Sequence, residues 1–146
     1  MQQDSSQQHE SMERFAAISG LLAAYATGYD TGDWAAVGAC FTDDGVFELV
    51  DHAGATIGVH RGRAEIDAFM RASLDGQHDT RRHFSTNLRI LSLDGGSAQV
   101  ASYLLLGAIE RSELRIVQSG RYVDTVVWGP DGARFAHRRL TMDGQF

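Results

Sequence analysis

The sequence has little cysteine, no excess of positive charge and no long apolar run, and each shortage excludes a class of protein. Its 146 residues include one cysteine, Cys40, which rules out an internal disulfide framework and a cysteine-based zinc site. The net charge is −6, with no basic run beyond pairs such as Arg81-Arg82, which argues against nucleic acid and anionic membranes as partners. No apolar stretch is long enough to span a bilayer.

The N-terminus is polar and lacks the basic and apolar segments of a secretory signal. We therefore expect a cytoplasmic protein with a disordered tail over residues 1–10. Apolar residues make up 43% of the chain and charged residues 22%, which is typical of a globular protein. Residues 11–146 are long enough to form a core of their own, and we expect one domain there.

The stretch from Phe15 to Trp34 organises the chain. No charged residue occurs between Phe15 and Tyr29, and small or apolar residues occupy nearly every side of the helix that this segment predicts. We expect that helix to run from about Ser11 to Tyr29 and to be buried on most sides. Asp30 follows it, although a negative charge at a helix C-terminus opposes the macrodipole. One interpretation is a turn in which Asp33 caps the next helix; the other is a functional carboxylate.

The rest of the chain alternates helix and strand signals before changing to strands alone. A second helix is expected from Asp33 to about Phe41, a turn at 42–45, and a third helix from Gly62 to about Leu74. Strands are expected at 46–50, 56–60, 82–93, 98–110, 114–128 and 133–142. Helices followed by an antiparallel meander indicate an α+β fold, with helices packed on one face of a curved sheet.

The strand over residues 82–91 has two different faces. Alternation places His83, Ser85, Asn87 and Arg89 on one face and Phe84, Leu88 and Ile90 on the other. The next strands are apolar on both faces, which is typical of a sheet covered on both sides. Because three helices can cover only one face, we expect a second copy of the chain on the other. The pattern therefore predicts a homo-oligomer, a dimer in preference to a trimer.

Three residues have the chemistry of an acid–base site: Tyr25, Asp30 and His83. Imidazole titrates near neutrality and is the usual general base. A buried carboxylate that accepts one ring N–H fixes the tautomer of the imidazole, and a tyrosine hydroxyl can donate to an oxygen that gains negative charge. These groups suffice to remove a proton next to a carbonyl without a metal or an organic cofactor. From spacing alone, the alternative is a structural histidine on a surface strand.

Several segments occur in a characteristic order: Tyr25, YDTGDW at 29–34, FTDDGVF at 41–47, GRAEI at 62–66, RHFSTN at 82–87 and GRYVD at 120–124. Together they resemble the SnoaL-like and scytalone-dehydratase-like branch of the nuclear transport factor 2-like superfamily. The resemblance extends from about Met12 to Leu140. It implies a cystatin-like α+β barrel, in which a cone-shaped, curved antiparallel or mixed sheet wraps around three helices.

The resemblance also implies an open end that admits a small apolar, aromatic or polyketide-like ligand. His83 matches the general base of dehydratases in this group, Asp30 its orienting partner, and Tyr25 a tyrosine that touches the substrate oxygen. No cofactor and no metal site is expected. The further candidates for substrate contacts are Tyr29, Trp34, Phe47, Asn87, Tyr103, Tyr122 and Asp124.

The first expectation for the activity is dehydration of a cyclic or polyketide-like carbonyl compound. The second is isomerisation or cyclisation of such a compound. The strand over residues 100–109 lacks the second histidine of scytalone dehydratase, so a substrate other than scytalone is expected. Because the fold does not choose the reaction, a non-catalytic ligand-binding protein or a dioxygenase-β-subunit-like protein is the alternative. Epoxide hydrolysis would need carboxylates and an arginine around a water, which Arg121 with Asp124 matches poorly.

Overall fold

The computed structural model describes residues 2–144 of the chain. Two helices come first, α1 (Gln2–Thr31) and α2 (Trp34–Ala39), and a third, α3 (Gly62–Asp75), follows the first two strands. The strands are β1 (Phe41–Val50), β2 (Thr56–Arg61), β3 (Thr80–Leu93), β4 (Ser97–Glu110), β5 (Glu113–Gly129) and β6 (Gly132–Met142). The predicted α+β class is confirmed.

The six strands form a single curved sheet in the order β2-β1-β6-β5-β4-β3. All neighbouring pairs are antiparallel except β1 with β6, which is parallel, so the sheet is mixed. Helix α1 packs against β3 and β6, while α3 packs against β1 and β2. The core lies between these helices and the inner face of the sheet.

Helix α1 continues through residues 2–10, where the sequence predicted a disordered tail. No glycine or proline precedes Gly20, so nothing in this segment breaks a helix. Ion pairs one turn apart, His9 with Glu13 at 3.1 Å and Glu10 with Arg14 at 3.6 Å, lie on its surface. Each such pair adds a few tenths of a kcal/mol at most.

The prediction that α1 is buried on most sides is wrong. Its buried residues recur every three or four positions, as in Ile18, Leu22, Tyr25 and Tyr29, which is the stripe of an amphipathic helix. Alanines and other small residues occupy the opposite face and are exposed. Small residues cost little when exposed, so their presence did not signal burial.

The turn between α1 and α2 has the capping that the sequence predicted. Gly32 has a φ of +69°, a conformation that glycine adopts without strain at the end of a helix. The Oδ1 atom of Asp33 accepts a hydrogen bond from the backbone N–H of Ala36 at 3.0 Å, and Asp33 is the N-cap of α2. The prediction of a cap at Asp33 is confirmed.

Strand β1 begins at Phe41, so the turn predicted at residues 42–45 is wrong. The ladder from β1 to β6 shifts register between Phe41 and Val46, so these residues form an irregular part of the strand. A hydrogen bond of 2.7 Å from the backbone N–H of Phe135 to the carbonyl of Cys40 holds β6 beside its start.

Strand β3 changes phase at Asn87. This residue has a φ of +54°, and the pairing with β4 shifts register between Thr86 and Arg89. Before this bulge His83 points inward, and after it Leu88 packs on the core while Arg89 is exposed. The prediction that His83, Asn87 and Arg89 share a face is therefore wrong, because an extra residue in a strand reverses the alternation.

The outer face of the sheet carries exposed apolar side chains on β3, β4 and β5. They include Phe84, Tyr103, Leu105, Ile116 and Val123. Within residues 2–144, no helix is both long and apolar enough to cross a membrane.

Candidate active site

A cavity of about 380 Å³ opens between α1, α3 and the inner face of the sheet. Most of its wall is apolar, and the apolar residues come from both layers. They are Phe47, Leu49, Phe69, Met70, Leu104, Leu106, Leu140 and Met142. The polar side chains are fewer, and a mostly apolar wall with a few convergent polar groups is typical of a small-molecule site.

His83 lines this cavity and pairs with Asp30. The Nδ1 atom of His83 lies 2.6 Å from Oδ1 of Asp30, and each side chain is 10% exposed. The backbone N–H of His83 donates a second hydrogen bond, of 3.0 Å, to Oδ2 of the same carboxylate. Since a carboxylate can only accept, Nδ1 carries the hydrogen, and in the neutral imidazole Nε2 has the free lone pair. His83 lines the cavity, so Nε2 is the nitrogen available to a ligand.

The position of Asp30 follows from these two bonds. It lies in the last turn of α1, where its charge opposes the helix dipole at a cost of about 0.3–1 kcal/mol. Two donors from His83 offset that cost, because hydrogen bonds to a charged group contribute about 1.5–3 kcal/mol. The carboxylate therefore links the end of α1 to the start of β3.

Tyr25 and Tyr29 line the cavity from the buried stripe of α1. Their ring centroids are 6.4 Å apart, and the Tyr29 ring lies edge-on to His83 at 4.6 Å. The hydroxyl of Tyr25 contacts the sulfur of Met70 at 3.9 Å. Burial raises the pKa of Tyr25 well above its usual value and also raises the pKa of Tyr29. Both phenols are therefore protonated donors near neutral pH.

Three polar residues of the cavity were not predicted from the sequence. Ser73 lies in the C-terminal part of α3, Gln77 in the segment that follows it, and Arg81 on β3. Arg81 forms a short ion pair with Asp79. Alternation from His83 could have found Arg81, since residues two apart on a strand share a face. Ser73 and Gln77 are one helical turn apart, and Gln77 donates to the Ser73 carbonyl at 2.9 Å.

Three of the predicted substrate contacts, Tyr29, Phe47 and Tyr122, lie in the cavity wall. The other four lie outside it, which corrects the sequence-based assignment. Asn87 is exposed at the bulge of β3, and Tyr103 is 51% exposed on the outer face of the sheet. These two side chains point away because the bulge and the strand phase direct them to solvent.

Trp34 and Asp124 are the remaining corrections. Trp34 begins α2 and packs edge-on against the far side of Tyr29 at 5.8 Å, so it supports the cavity wall without facing the cavity. Asp124 points inward but does not line the cavity, because it is fully buried beside Arg138, two residues along β5 from Tyr122. Within the described ranges, no three His, Cys, Asp or Glu side chains are grouped as metal ligands would be.

Comparison with known proteins identifies relatives over most of the chain. Residues 10–139 match the SnoaL-like domain family. The small subunit of anthranilate 1,2-dioxygenase from Burkholderia cepacia is 29% identical over 114 residues, which cover 70% of each chain. The resemblance stated above, with its nuclear transport factor 2-like, cystatin-like fold, is therefore confirmed.

Two solved structures superpose closely on this one. A single-residue variant of Rv3472, a Mycobacterium tuberculosis protein of unknown function, is 28% identical with a TM-score of 0.80, covering 94% of this chain and 76% of that one. A Catenulispora acidiphila protein in complex with S-DNPA is 25% identical with a TM-score of 0.75, covering 88% and 92% of the two chains. Proteins similar to this chain thus include a ligand-binding one and a dioxygenase subunit.

Proposed function

The chain belongs to the SnoaL-like domain family, and on that premise we propose that it is an acid–base enzyme acting on a cyclic or polyketide-like carbonyl compound. Dehydration is the first reaction proposed, and double-bond isomerisation or cyclisation the second. The observation that carries the proposal is the His83–Asp30 pair, joined at 2.6 Å and facing a mostly apolar cavity.

The proposed mechanism starts at Nε2 of His83. This nitrogen takes a proton from the carbon next to the substrate carbonyl, and the electron pair moves to the carbonyl oxygen as an enolate. Tyr25 donates to that oxygen, and Asp30 stabilises the imidazolium through Nδ1–H. The enolate then collapses and breaks the bond to a β-hydroxyl group, which leaves as water with the proton from His83. In isomerisation, His83 would return the proton to a different carbon.

Non-catalytic ligand binding is the second candidate function. It is supported by the similarity to a dioxygenase small subunit, which is 29% identical. A binder would need the apolar cavity but not the basic nitrogen of His83. The two functions therefore differ in whether His83 is needed for turnover or only contacts the ligand.

We also propose that a second copy of the chain covers the outer face of the sheet. Leu105 lies opposite Phe84 in the ladder of β3 and β4, and both are exposed. Tyr103 and Val123 extend this exposed apolar patch towards β5. Patches of this kind on soluble proteins mark interaction surfaces, and a homodimer across a two-fold axis would cover the same patch on both copies.

The test of the enzyme proposal is a screen of cyclic β-hydroxy-ketones and enolisable ketones in deuterated water. Wild type is expected to release water or to incorporate deuterium next to the carbonyl, and His83→Ala to lose this by about 10²–10⁴-fold. His137→Ala is the matched control, because His137 pairs with Glu48 outside this cavity. Equal activity in His83→Ala, or ligand binding without exchange in wild type, would leave the binder as the better function.

A further inference from the structure

A layer of charged side chains lies buried beneath the floor of the cavity. On β5 and β6 the inward residues Tyr122 and Leu140 pair with each other and line the cavity. The next inward pair along these two strands is Asp124 opposite Arg138. Both of these side chains have 0% exposure. An ion pair therefore lies one layer below the wall that a ligand would touch.

The guanidinium of Arg138 is enclosed by aromatic rings. Its Cζ atom lies 3.7 Å from the ring centroid of Tyr122 and 4.3 Å from those of Tyr25 and Phe135. Its closest approach to Asp124 is 3.8 Å, from Nη1 to Oδ2, which is longer than a hydrogen bond. Within the described part of the chain, no guanidinium nitrogen or carboxylate oxygen of this pair has a partner at ordinary hydrogen-bond geometry, although an interaction with the Tyr122 hydroxyl helps to raise the pKa of Arg138.

Such an arrangement is expensive for the fold. Burying two charges without hydrogen bonds costs several kcal/mol per ion, and a well-packed apolar pair of the same volume is often more stable. The attraction between a cation and aromatic faces recovers only part of that cost. Stability alone therefore explains the burial of Arg138 poorly. An effect of its charge on the cavity explains it better.

The two tyrosines on which Arg138 stacks both line the cavity. Burial raises the pKa of Tyr25 and of Tyr122, and the positive charge of Arg138 acts against that rise. A cation behind a phenol ring in a low-dielectric interior makes the hydroxyl a stronger donor and favours negative charge on an oxygen it contacts. Arg138 can thus act on a ligand without touching it.

We propose that Arg138, acting through Tyr25 and Tyr122, makes this end of the cavity a site for the enolate or phenolate oxygen of a ring compound. Arg138 is a positioning residue in this scheme, and the tyrosines are the groups that contact the ligand. The ligand class rests on the proposed function, since proton removal by His83 would create this charge. The Tyr29 ring contacts both groups, with its centroid 6.4 Å from that of Tyr25 and 4.6 Å from that of His83.

The test uses 2-naphthol, whose neutral and anionic forms have different absorption spectra. The probe is bound to the purified full chain at pH 7.5, where free 2-naphthol is mostly neutral. We expect the ratio of anion to neutral probe to rise about tenfold on binding to wild type, as for a group near an opposite charge. No binding, or a bound probe that stays as neutral as the free one, would overturn the proposal.

Variants of the buried pair should move this ratio in opposite directions. Arg138→Met/Asp124→Leu removes both charges and should return the bound probe to its ratio in solution. Asp124→Asn removes only the counter-charge and should raise the ratio above that of wild type. Arg138→Lys keeps a cation and should retain part of the effect. If the double variant does not fold, Asp124→Asn and Arg138→Lys still decide the test, since an unchanged ratio in both contradicts the proposal.

Two controls separate Arg138 from the other charged groups of the cavity. Arg81→Met removes the cation at the opposite end, and His83→Ala removes the group that could take the naphthol proton. Loss of the raised anion ratio in either variant would assign the effect to that residue and would contradict the assignment to Arg138. The measurement needs no turnover, so this proposal can fail while the enzyme proposal stands, and the enzyme proposal can fail while this one stands.

Discussion

Asp30 binds both the ring and the backbone of His83, with Oδ1 on Nδ1 at 2.6 Å and Oδ2 on the amide N–H at 3.0 Å. The carboxylate therefore fixes the side chain and the strand that carries it together. This double contact is what distinguishes Asp30 from a residue that only ends a helix. The tautomer of His83 should accordingly depend on Asp30.

Replacing Asp30 with Asn should reverse that tautomer. An amide can donate to Nδ1, so the ring would carry its hydrogen on Nε2 and lose the lone pair that the proposed base needs. Nitrogen-15 NMR of His83 should show the Nδ1–H form in wild type and the Nε2–H form in Asp30→Asn. Asp33→Asn, three residues on and bonded to Ala36, is the control that should leave His83 unchanged. An unaltered His83 spectrum in Asp30→Asn would contradict the assigned pair.

Filling the cavity should abolish ligand binding without unfolding the protein. Leu106 lines the cavity, whereas its neighbour Leu105 faces out and is 37% exposed. Leu106→Trp should weaken 2-naphthol binding by at least about tenfold, or 1.4 kcal/mol. Leu105→Trp should leave it unchanged. Calorimetric titration measures both, and equal affinities would place the ligand outside this cavity.

Two phenylalanines should differ sharply in their effect on stability. Phe135 is 0% exposed and packs on Tyr25 and Phe41, while Phe84 is 45% exposed. Truncation of a buried phenylalanine costs about 3–5 kcal/mol, so Phe135→Ala should lower the free energy of unfolding by that amount. Phe84→Ala should cost about 1 kcal/mol or less in a monomer. Urea unfolding gives both values, and similar losses would disprove the inferred core.

Asp124 should give the protein a distinctive dependence of stability on pH. Burial raises the pKa of this carboxyl to about 6, while the charge of Arg138 acts to lower it. Between the unfolded pKa of about 4 and the folded pKa, only the folded state holds this proton. The free energy of unfolding relative to Asp124→Asn should therefore fall as pH rises from about 4 to 6 and be flat above. Denaturation at several pH values measures the free energy of unfolding of both proteins. If Asp124 were exposed, the difference between wild type and Asp124→Asn would stay constant across this range.

The outer face of the sheet should control the oligomeric state. Leu105→Glu/Val123→Glu places two charges in the exposed apolar patch and should convert a dimer into a monomer. The fold should survive, because both side chains are exposed in the single chain. Val59→Glu, a 40% exposed valine on β2, should keep the dimer. Light scattering coupled to gel filtration measures the mass, and a monomeric wild type would refute the proposed second copy.

Sequence periodicity predicted the positions of most helices and strands well, but it predicted poorly which of their residues are buried. The strands from Thr80 to Met142 were found within a few residues because period-two alternation and hairpin turns are local signals. The capping role of Asp33 was local too. By contrast, the sequence predicts that α1 is buried on most sides, because exposed alanines carry no polar signal. The sequence predicts a turn in the irregular stretch after Phe41, because acidic residues and glycine favour turns.

The candidate site was only partly visible in the sequence. The pairing of Asp30 with His83 joins residues from separate elements, and family resemblance supplied what spacing alone did not. The sequence gives no sign that Arg138 is buried, because burial of an arginine depends on the phase of β6 and on the rings around it. Tyr103 was misplaced for the same reason, since a strand that is apolar on both faces gives no sign of which face is inside.

The bulge at Asn87 has a consequence for how the chain can vary. A regular strand would force every second residue of β3 onto one side, so His83 and Leu88 could not both face inward. One left-handed residue makes the two halves of the strand independent. Substitutions at the cavity-lining positions of β3 therefore need no change in the core packing after Asn87. Loss of that residue's conformation would turn Arg89 towards the core and disturb both ends at once.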